Sequence, residues 1–315
     1  MASSNSSSYE IPSYETSTSR TVKFTIILVF QIISISCSIF LLFNLLTKSA
    51  LYRPLHNHTI IVLGLISFFQ TISDLPMVLA YLHLGQAPTT VFCLLWNFFA
   101  LSNYAVGIWV MTWASFERHL LIFHDNLMKT SRRRLALHYL PLACSIFFPW
   151  SYYISLIFFY PCVNTFYQTF LFCGWCCYAR NDQLVFFNWL TFSVIPTLSI
   201  LFLSVTLIIR VIRQKYRMQQ QIQWRQHRHM ILQLLSISFL YILFDTPSTI
   251  IGIVQLFLPT FAVDIQILYL IYIVYLLPLL TPFLCLNGLH QLRKRNHQQT
   301  HPTLPLTQTK VAQRR

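Results

Sequence analysis

Residues 91–123 read VFCLLWNFFALSNYAVGIWVMTWASFERHLLIF, and this stretch decides the fold class of the chain. Its first charged side chain is Glu117, so the uncharged part alone exceeds the roughly 20 apolar residues that cross a bilayer core. The run is too long for a strand, and backbone groups in lipid have to be bonded within their own segment. The stretch therefore predicts a transmembrane helix.

Similar apolar runs recur along the chain, separated by short connections that make neighbouring helices antiparallel. The seven predicted spans are 22–46, 56–82, 91–123, 135–159, 184–211, 229–257 and 265–288. The sequence thus predicts an all-α membrane protein, built as a seven-transmembrane helix bundle.

Composition supports the same class of protein. Of the 315 residues, 55% are hydrophobic and only 10% are charged, whereas a soluble domain carries about 25% charged residues. A chain with so little polar surface is not a cytosolic enzyme, a disordered protein or a free nucleic-acid binder.

The basic residues indicate the orientation in the membrane. Arg20, Lys23 and Arg180 are the three Lys and Arg residues on one side of the predicted bundle, and the other nineteen are on the opposite side. The basic side is expected to be cytoplasmic. The net charge of +14 therefore indicates contact with anionic membrane lipids and no nucleic-acid partner.

This orientation predicts three regions: an extracellular tail over 1–21, the bundle over 22–288 and a cytoplasmic, largely disordered segment over 289–315. Asn5 begins the triplet Asn-Ser-Ser, which makes it a candidate for glycosylation on the outer side.

Cysteines crowd the predicted outer face. Cys93 begins the third span, and four more cysteines lie between the fourth and fifth spans: Cys162, Cys173, Cys176 and Cys177. The outer face is oxidising, so disulfides are expected there, and an odd number leaves at least one thiol free. Zinc sites use two spaced pairs of ligands, so one cluster favours disulfides over a metal site.

Asp74 and Asp245 lie deep within predicted spans, where ionisable groups are costly and often functional. Asp245 precedes Pro247, and it is interpreted either as a ligand-binding or coupling residue or as a local partner for the kinked backbone. Asp74 precedes Pro76, and here the kink interpretation is preferred over a pocket residue.

The third span also carries a motif at each end. Cys93 and Arg118 are 25 residues apart, and Arg118 lies in the triplet Glu117-Arg118-His119. This spacing resembles that between the disulfide cysteine and the Asp/Glu-Arg-Tyr arginine of the rhodopsin-like (class A) G-protein-coupled receptors.

The resemblance extends over residues 22–297. Pro196, Pro247 and Pro282 match the helix prolines of that family, where they kink helices and contribute to activation. The segment Leu292–Arg295 matches its short amphipathic eighth helix.

The resemblance implies a plasma-membrane receptor that is not an enzyme and has no cofactor. An extracellular ligand would bind in the outer half of the bundle, and a heterotrimeric G protein would couple at the cytoplasmic ends of helices three, five and six. Glu117, Arg118 and His119 would be the coupling residues. It also implies a disulfide from Cys93 to Cys176, with Cys173 and Cys177 as alternatives.

Departures from the family pattern narrow the range of ligand classes. Ala100 stands where amine receptors carry Asp, and Tyr275 stands where visual pigments carry the retinal-binding Lys. Asp245 replaces a Trp of the family, and Ser67 replaces the sodium-binding Asp. Asp74, Ala100, Asp245 and Tyr275 are the pocket candidates, and peptide, odorant and lipid ligands all stay open.

At the base of helix six, His227 stands where many members have an acidic residue that locks the motif arginine. Glu117 is therefore expected to be the main resting partner of Arg118. A transporter or channel is the alternative function. A metal-dependent membrane enzyme is disfavoured because the histidines, His58 among them, are assigned mostly to loops and the tail.

Overall fold

The computed structural model describes residues 16–47, 55–123, 130–217, 221–258 and 260–286. Asn5, most of the predicted extracellular tail, the proposed eighth helix at Leu292–Arg295 and the side chain of His227 lie outside the described part.

Seven helices in the described part are long and apolar enough to cross a membrane, and that part contains no β-strand. Their bounds are α1, Ser17–Thr47; α2, Leu55–Ser73 and Leu75–Leu84; α3, Thr90–Phe123; α4, Ser131–Arg134, Leu135–Tyr139, Leu140–Ile154 and Ser155–Phe159; α5, Asp182–Trp189, Leu190–Val194 and Ile195–Arg217; α6, Gln221–Gln255; and α7, Val263–Ile265, Gln266–Leu270, Ile271–Val274 and 276–286. The predicted seven-helix bundle is confirmed.

The antiparallel helices give the bundle two ends, which we name by the residues they hold. The cysteine end contains Cys93 at the start of α3 and the connection 160–181 between α4 and α5. The arginine end contains the triplet Glu117-Arg118-His119 near the end of α3.

Helix α3 lies at the centre of the bundle and packs against α2, α4, α5 and α6. Its core-facing side chains, such as Val110 and Met111, are fully buried. They join Leu41 of α1, Leu63 of α2 and Ile237 of α6 in one apolar cluster. The core thus extends across the helices, with α3 as the element that most of them share.

Large apolar side chains also cover the outside of the bundle. Phe43 is 65% exposed, Phe202 is 70% exposed and Phe239 is 61% exposed. Contiguous exposed apolar surface on a soluble protein would drive association, whereas in a bilayer it contacts the acyl chains. The outer surface therefore fits lipid contact, as the composition predicts.

Several helices deviate from regular α geometry where the sequence carries proline. α2 breaks at Asp74, just before Pro76. In α5, a π-helical turn at Leu190–Val194 comes directly before Pro196. Proline lacks an N–H and its ring crowds the preceding turn, so such departures are expected there. Pro247 lies within the continuous helix α6, whereas Pro282 lies in the last part of α7.

Candidate functional site

The motif triplet at the arginine end is buried rather than exposed. Glu117 and Arg118 are each 1% exposed, and His119 is 7% exposed. His119 Nε2 lies 2.9 Å from the carbonyl oxygen of Leu203 on α5. The triplet therefore lies inside the bundle, with its last residue directed to α5.

Both carboxylate oxygens of Glu117 have partners on neighbouring helices. Thr59 Oγ1 of α2 donates to Oε2, and Nδ1 of His138 in α4 is hydrogen-bonded to Oε1. The carboxylate thus joins α3 to both α2 and α4. The sequence analysis expected Glu117 to be the main resting partner of Arg118, and that pairing stays a prediction; the bonds of Glu117 to Thr59 and His138 were not predicted.

Thr59 and His138 were not among the predicted site residues. His138 is fully buried within α4, and His58 lies in α2 rather than in a loop as expected. A histidine in an apolar span was the available signal for His138. Thr59 carried no such signal, because threonine is common in membrane helices and often bonds its own backbone.

A second polar site surrounds Asp245, which is 2% exposed. Tyr104 Oη of α3 donates to Oδ1 at 2.5 Å, and Thr197 Oγ1 of α5 donates to Oδ2. Thr249 lies one turn along α6, and its Oγ1 donates to Asp245 Oδ2 at 3.3 Å. The same hydroxyl is hydrogen-bonded to Ser193 Oγ of α5 at 3.1 Å. The Asp245 carboxylate therefore connects α6 to α3 and α5. These bonds between helices go beyond the interpretation of Asp245 as a local partner for the kinked backbone of α6.

Asp74 and Tyr275, both predicted pocket candidates, meet at the cysteine end. Tyr275 Oη of α7 donates to Oδ1 of Asp74 at 3.3 Å, and Asp74 is fully buried. Asp74 also marks the break in α2, so both sequence interpretations apply to it. Ala100 belongs to the same buried cluster, together with Trp96 of α3.

The disulfide from α3 joins Cys93 to Cys173, so the prediction of Cys176 as its partner is wrong. A second disulfide joins Cys162 to Cys177, and Cys176 is a buried free thiol. Cys173 lies in the buried cluster beside α3, whereas Cys176 packs in a separate cluster with α4 and α5 residues. The number of residues between a cysteine and the helix-five proline does not show towards which cluster that cysteine points, so it could not distinguish Cys173 from Cys176.

The reason for this pairing is an unusual turn in the connection 160–181. Its four consecutive residues from Phe172 to Trp175 have positive φ angles, between 50° and 77°. For residues other than glycine, such a conformation costs about 1–2 kcal/mol each. Asn97 Nδ2 donates to the Phe172 carbonyl at 2.8 Å, and the Trp96 and Phe172 rings lie 5.0 Å apart. These contacts and the disulfide hold the turn in place, with the Phe172 ring inside the bundle.

We expect Cys176 to resist alkylation until the protein is unfolded. Burial raises the pKa of its thiol to about 12, so almost no thiolate is present at pH 8. Unfolding returns the pKa to about 8.5 and exposes the sulfur. Mass spectrometry of non-reduced peptides, alkylated before or after unfolding, measures this difference.

The same maps test the pairing. They should contain the linked peptides Cys93–Cys173 and Cys162–Cys177. Recovery of Cys173 as an alkylated thiol, with Cys176 joined to Cys93, would contradict the structure.

We expect Asp245→Leu to destabilise the purified protein more than Asp245→Asn. Leucine leaves the buried hydroxyls of Tyr104 and Thr197 without their acceptor, at a cost of about 1–3 kcal/mol each. Asparagine keeps one carbonyl oxygen in place. Thermal unfolding in detergent measures the difference, with Thr246→Val as the control, because Thr246 Oγ1 has no hydrogen-bond partner. Equal melting temperatures for the Leu and Asn variants would contradict this account of the site.

The comparison with known families agrees with this geometry. The sequence profile of the family described as 7 transmembrane receptor (rhodopsin family) matches residues 60–287. A search of curated proteins found no match. The family match covers most of the chain and all but the first of its seven membrane-spanning helices. The chain belongs to the rhodopsin family of seven-transmembrane receptors.

Proposed function

We propose that the protein is a plasma-membrane receptor that binds an extracellular ligand and activates a heterotrimeric G protein. Ligand binding at the cysteine end changes the balance between two arrangements of the helices. In the active arrangement, the cytoplasmic ends of α3, α5 and α6 open for the G protein. This is a signalling role, and no enzymatic step or cofactor is part of it.

The observation that supports this proposal best is the buried triplet at the arginine end. Glu117 is bonded to α2 and α4, while His119 is bonded to α5. Arg118 lies between these two anchors, buried at 1% exposure. A change in helix packing at this end therefore alters the surroundings of Arg118, which suits a residue that couples to a partner.

The distribution of charge supports a cytoplasmic location of the arginine end. Arg132, Arg133 and Arg134 begin α4 at that end with exposed side chains. Basic residues near span ends favour the cytoplasm. Accordingly we propose that residues 1–21 are extracellular, with Asn5 as a glycosylation site, and that 289–315 are cytoplasmic and include the eighth helix.

The ligand is proposed to act where Asp74, Ala100 and Tyr275 lie beneath the turn of the connection 160–181. In the described structure, Phe172 of that turn packs within the same buried cluster as Ala100 and Tyr275. A ligand that reaches these residues has to displace Phe172 or bind against it. Asp245 lies on α6 and transmits helix movement through its bonds to α3 and α5.

Transport or conduction is the alternative function that the sequence left open. It would favour polar groups that are accessible along a path through the membrane. Asp74 and Asp245 are instead buried and hydrogen-bonded to neighbouring helices. The receptor function is therefore preferred.

We expect Arg118→Ala to abolish G-protein activation while the protein still reaches the cell surface. The substitution removes the cation that is proposed to contact the G protein. Basal signalling and surface labelling in transfected cells measure the two properties. Arg180→Ala is the matched control, because Arg180 lies at the cysteine end, where it bonds Thr165.

Glu117→Gln should raise basal signalling, since it removes the negative charge next to Arg118 and keeps an oxygen that can accept from Thr59. If Arg118→Ala couples as well as wild type to every G protein that wild type activates, the proposed function is wrong.

We expect Phe172→Ala to open the proposed ligand site to small molecules. A thiol introduced by Ala100→Cys should react slowly with a water-soluble thiol reagent, because Ala100 is 7% exposed within the cluster that contains Phe172. Removing the Phe172 ring should increase that rate. Val163→Ala, a change at an 80% exposed residue of the same connection, should leave the rate unchanged. Equal rates with and without Phe172 would show that its ring does not close the site.

A further inference from the structure

A row of titratable side chains links the motif triplet to the neighbouring helices at the arginine end. Glu117 contacts His138 Nδ1, and His138 Nε2 lies 3.1 Å from His58 Nδ1. Glu117 is 1% exposed, His138 is fully buried and His58 is partly buried. The three groups thus form a continuous hydrogen-bonded row from α3 through α4 to α2.

Counting protons shows that this row can exist in two charge states. A carboxylate only accepts, so His138 Nδ1 carries a proton in both states. When His138 is neutral, its Nε2 accepts from His58 Nδ1–H. When His138 is charged, its Nε2 donates to His58 Nδ1. Both charge states of His138 therefore keep its bonds to Glu117 and to His58.

We propose that His138 is a positioning residue for Glu117, and that the His58–His138 pair makes G-protein coupling respond to cytoplasmic pH. This inference rests on the proposed coupling role of Arg118. Uptake of the proton places a positive charge on the ring that touches Glu117. That charge offsets the attraction between Glu117 and Arg118 and repels Arg118. Acidification therefore weakens the resting arrangement and raises coupling.

The other titratable groups near the pair, among the residues that the structure describes, do not provide the same response. Tyr139 packs against both rings, with centroids 4.6 Å from His138 and 5.9 Å from His58, and tyrosine is not a residue type that changes charge between pH 5 and 8. Cations at this end include Arg118 and the exposed Arg132, Arg133 and Arg134 at the start of α4, and arginine is not a residue type that changes charge between pH 5 and 8. His119 is directed to Leu203 on α5. Histidine is the residue type whose charge ordinarily changes between pH 5 and 8.

The test uses the full-length receptor in lipid nanodiscs with purified heterotrimeric G protein. Guanine-nucleotide exchange is measured from pH 8 to pH 6, and exchange by the G protein alone is subtracted at each pH. Wild type should exchange faster as the pH falls, by up to about tenfold per pH unit, which is the limit for one linked proton. His138→Gln can still donate to Glu117 but cannot take up the proton, so the response should flatten.

His58→Gln removes the second imidazole of the pair, at a less buried position, and should flatten the response as well. If His138→Gln fails to fold, the His58→Gln variant alone tests the proposal. His83→Gln is the matched control, because His83 is an exposed histidine at the opposite end of α2. It should keep the wild-type slope.

The outcomes separate the two proposals. Exchange that persists in Arg118→Ala overturns the proposed function. Two outcomes in which exchange needs Arg118 overturn this inference alone. In the first, exchange by wild type does not change with pH. In the second, His58→Gln keeps the pH dependence of wild type. Exchange that needs Arg118 and loses its slope in His58→Gln, but not in His83→Gln, supports both.

Discussion

The absence of water from the hydrocarbon core is the constraint on which this bundle depends. An ionisable side chain at that depth costs about 2.5–3.5 kcal/mol on insertion scales, so it needs partners within the protein. The three acidic side chains buried inside the described helices all have them. Their partners are Tyr275 for Asp74, Tyr104 and Thr197 for Asp245, and Thr59 and His138 for Glu117.

Each of these bonds joins different helices, and this gives the bundle its specificity. Lipid tails are as apolar as leucine, so burial of apolar surface does not decide how one helix is rotated against another. Hydrogen bonds to a buried carboxylate do decide it. α3 contributes to two of the three sites, through Tyr104 and through Glu117. The orientation of this central helix is therefore fixed near its middle, at Tyr104, and near the arginine end, at Glu117.

The sequence was sufficient for the fold and for the acidic centres of the sites, but not for their partners. Long apolar runs identify spans from length alone, and acidic residues in such runs stand out because they are rare. Thr59 and Thr197 could not be identified, because sequence does not show how helices are rotated. The pairing of Cys93 with Cys173 depends on four residues with positive φ angles, of which only Gly174 is a residue type that favours positive φ.

Asp245 stands where the rhodopsin-like receptors carry a tryptophan, and this changes the physics of the contact between α6 and its neighbours. A tryptophan holds helices by dispersion, and its many contacts weaken gradually as the helices separate. Hydrogen bonds weaken steeply with distance and angle. A small rotation of α6 would therefore leave the buried hydroxyls of Tyr104 and Thr197 unsatisfied before new partners are in reach. States in which these hydrogen bonds are broken are therefore disfavoured, and α6 is held against α3 and α5 in the arrangement that the structure shows.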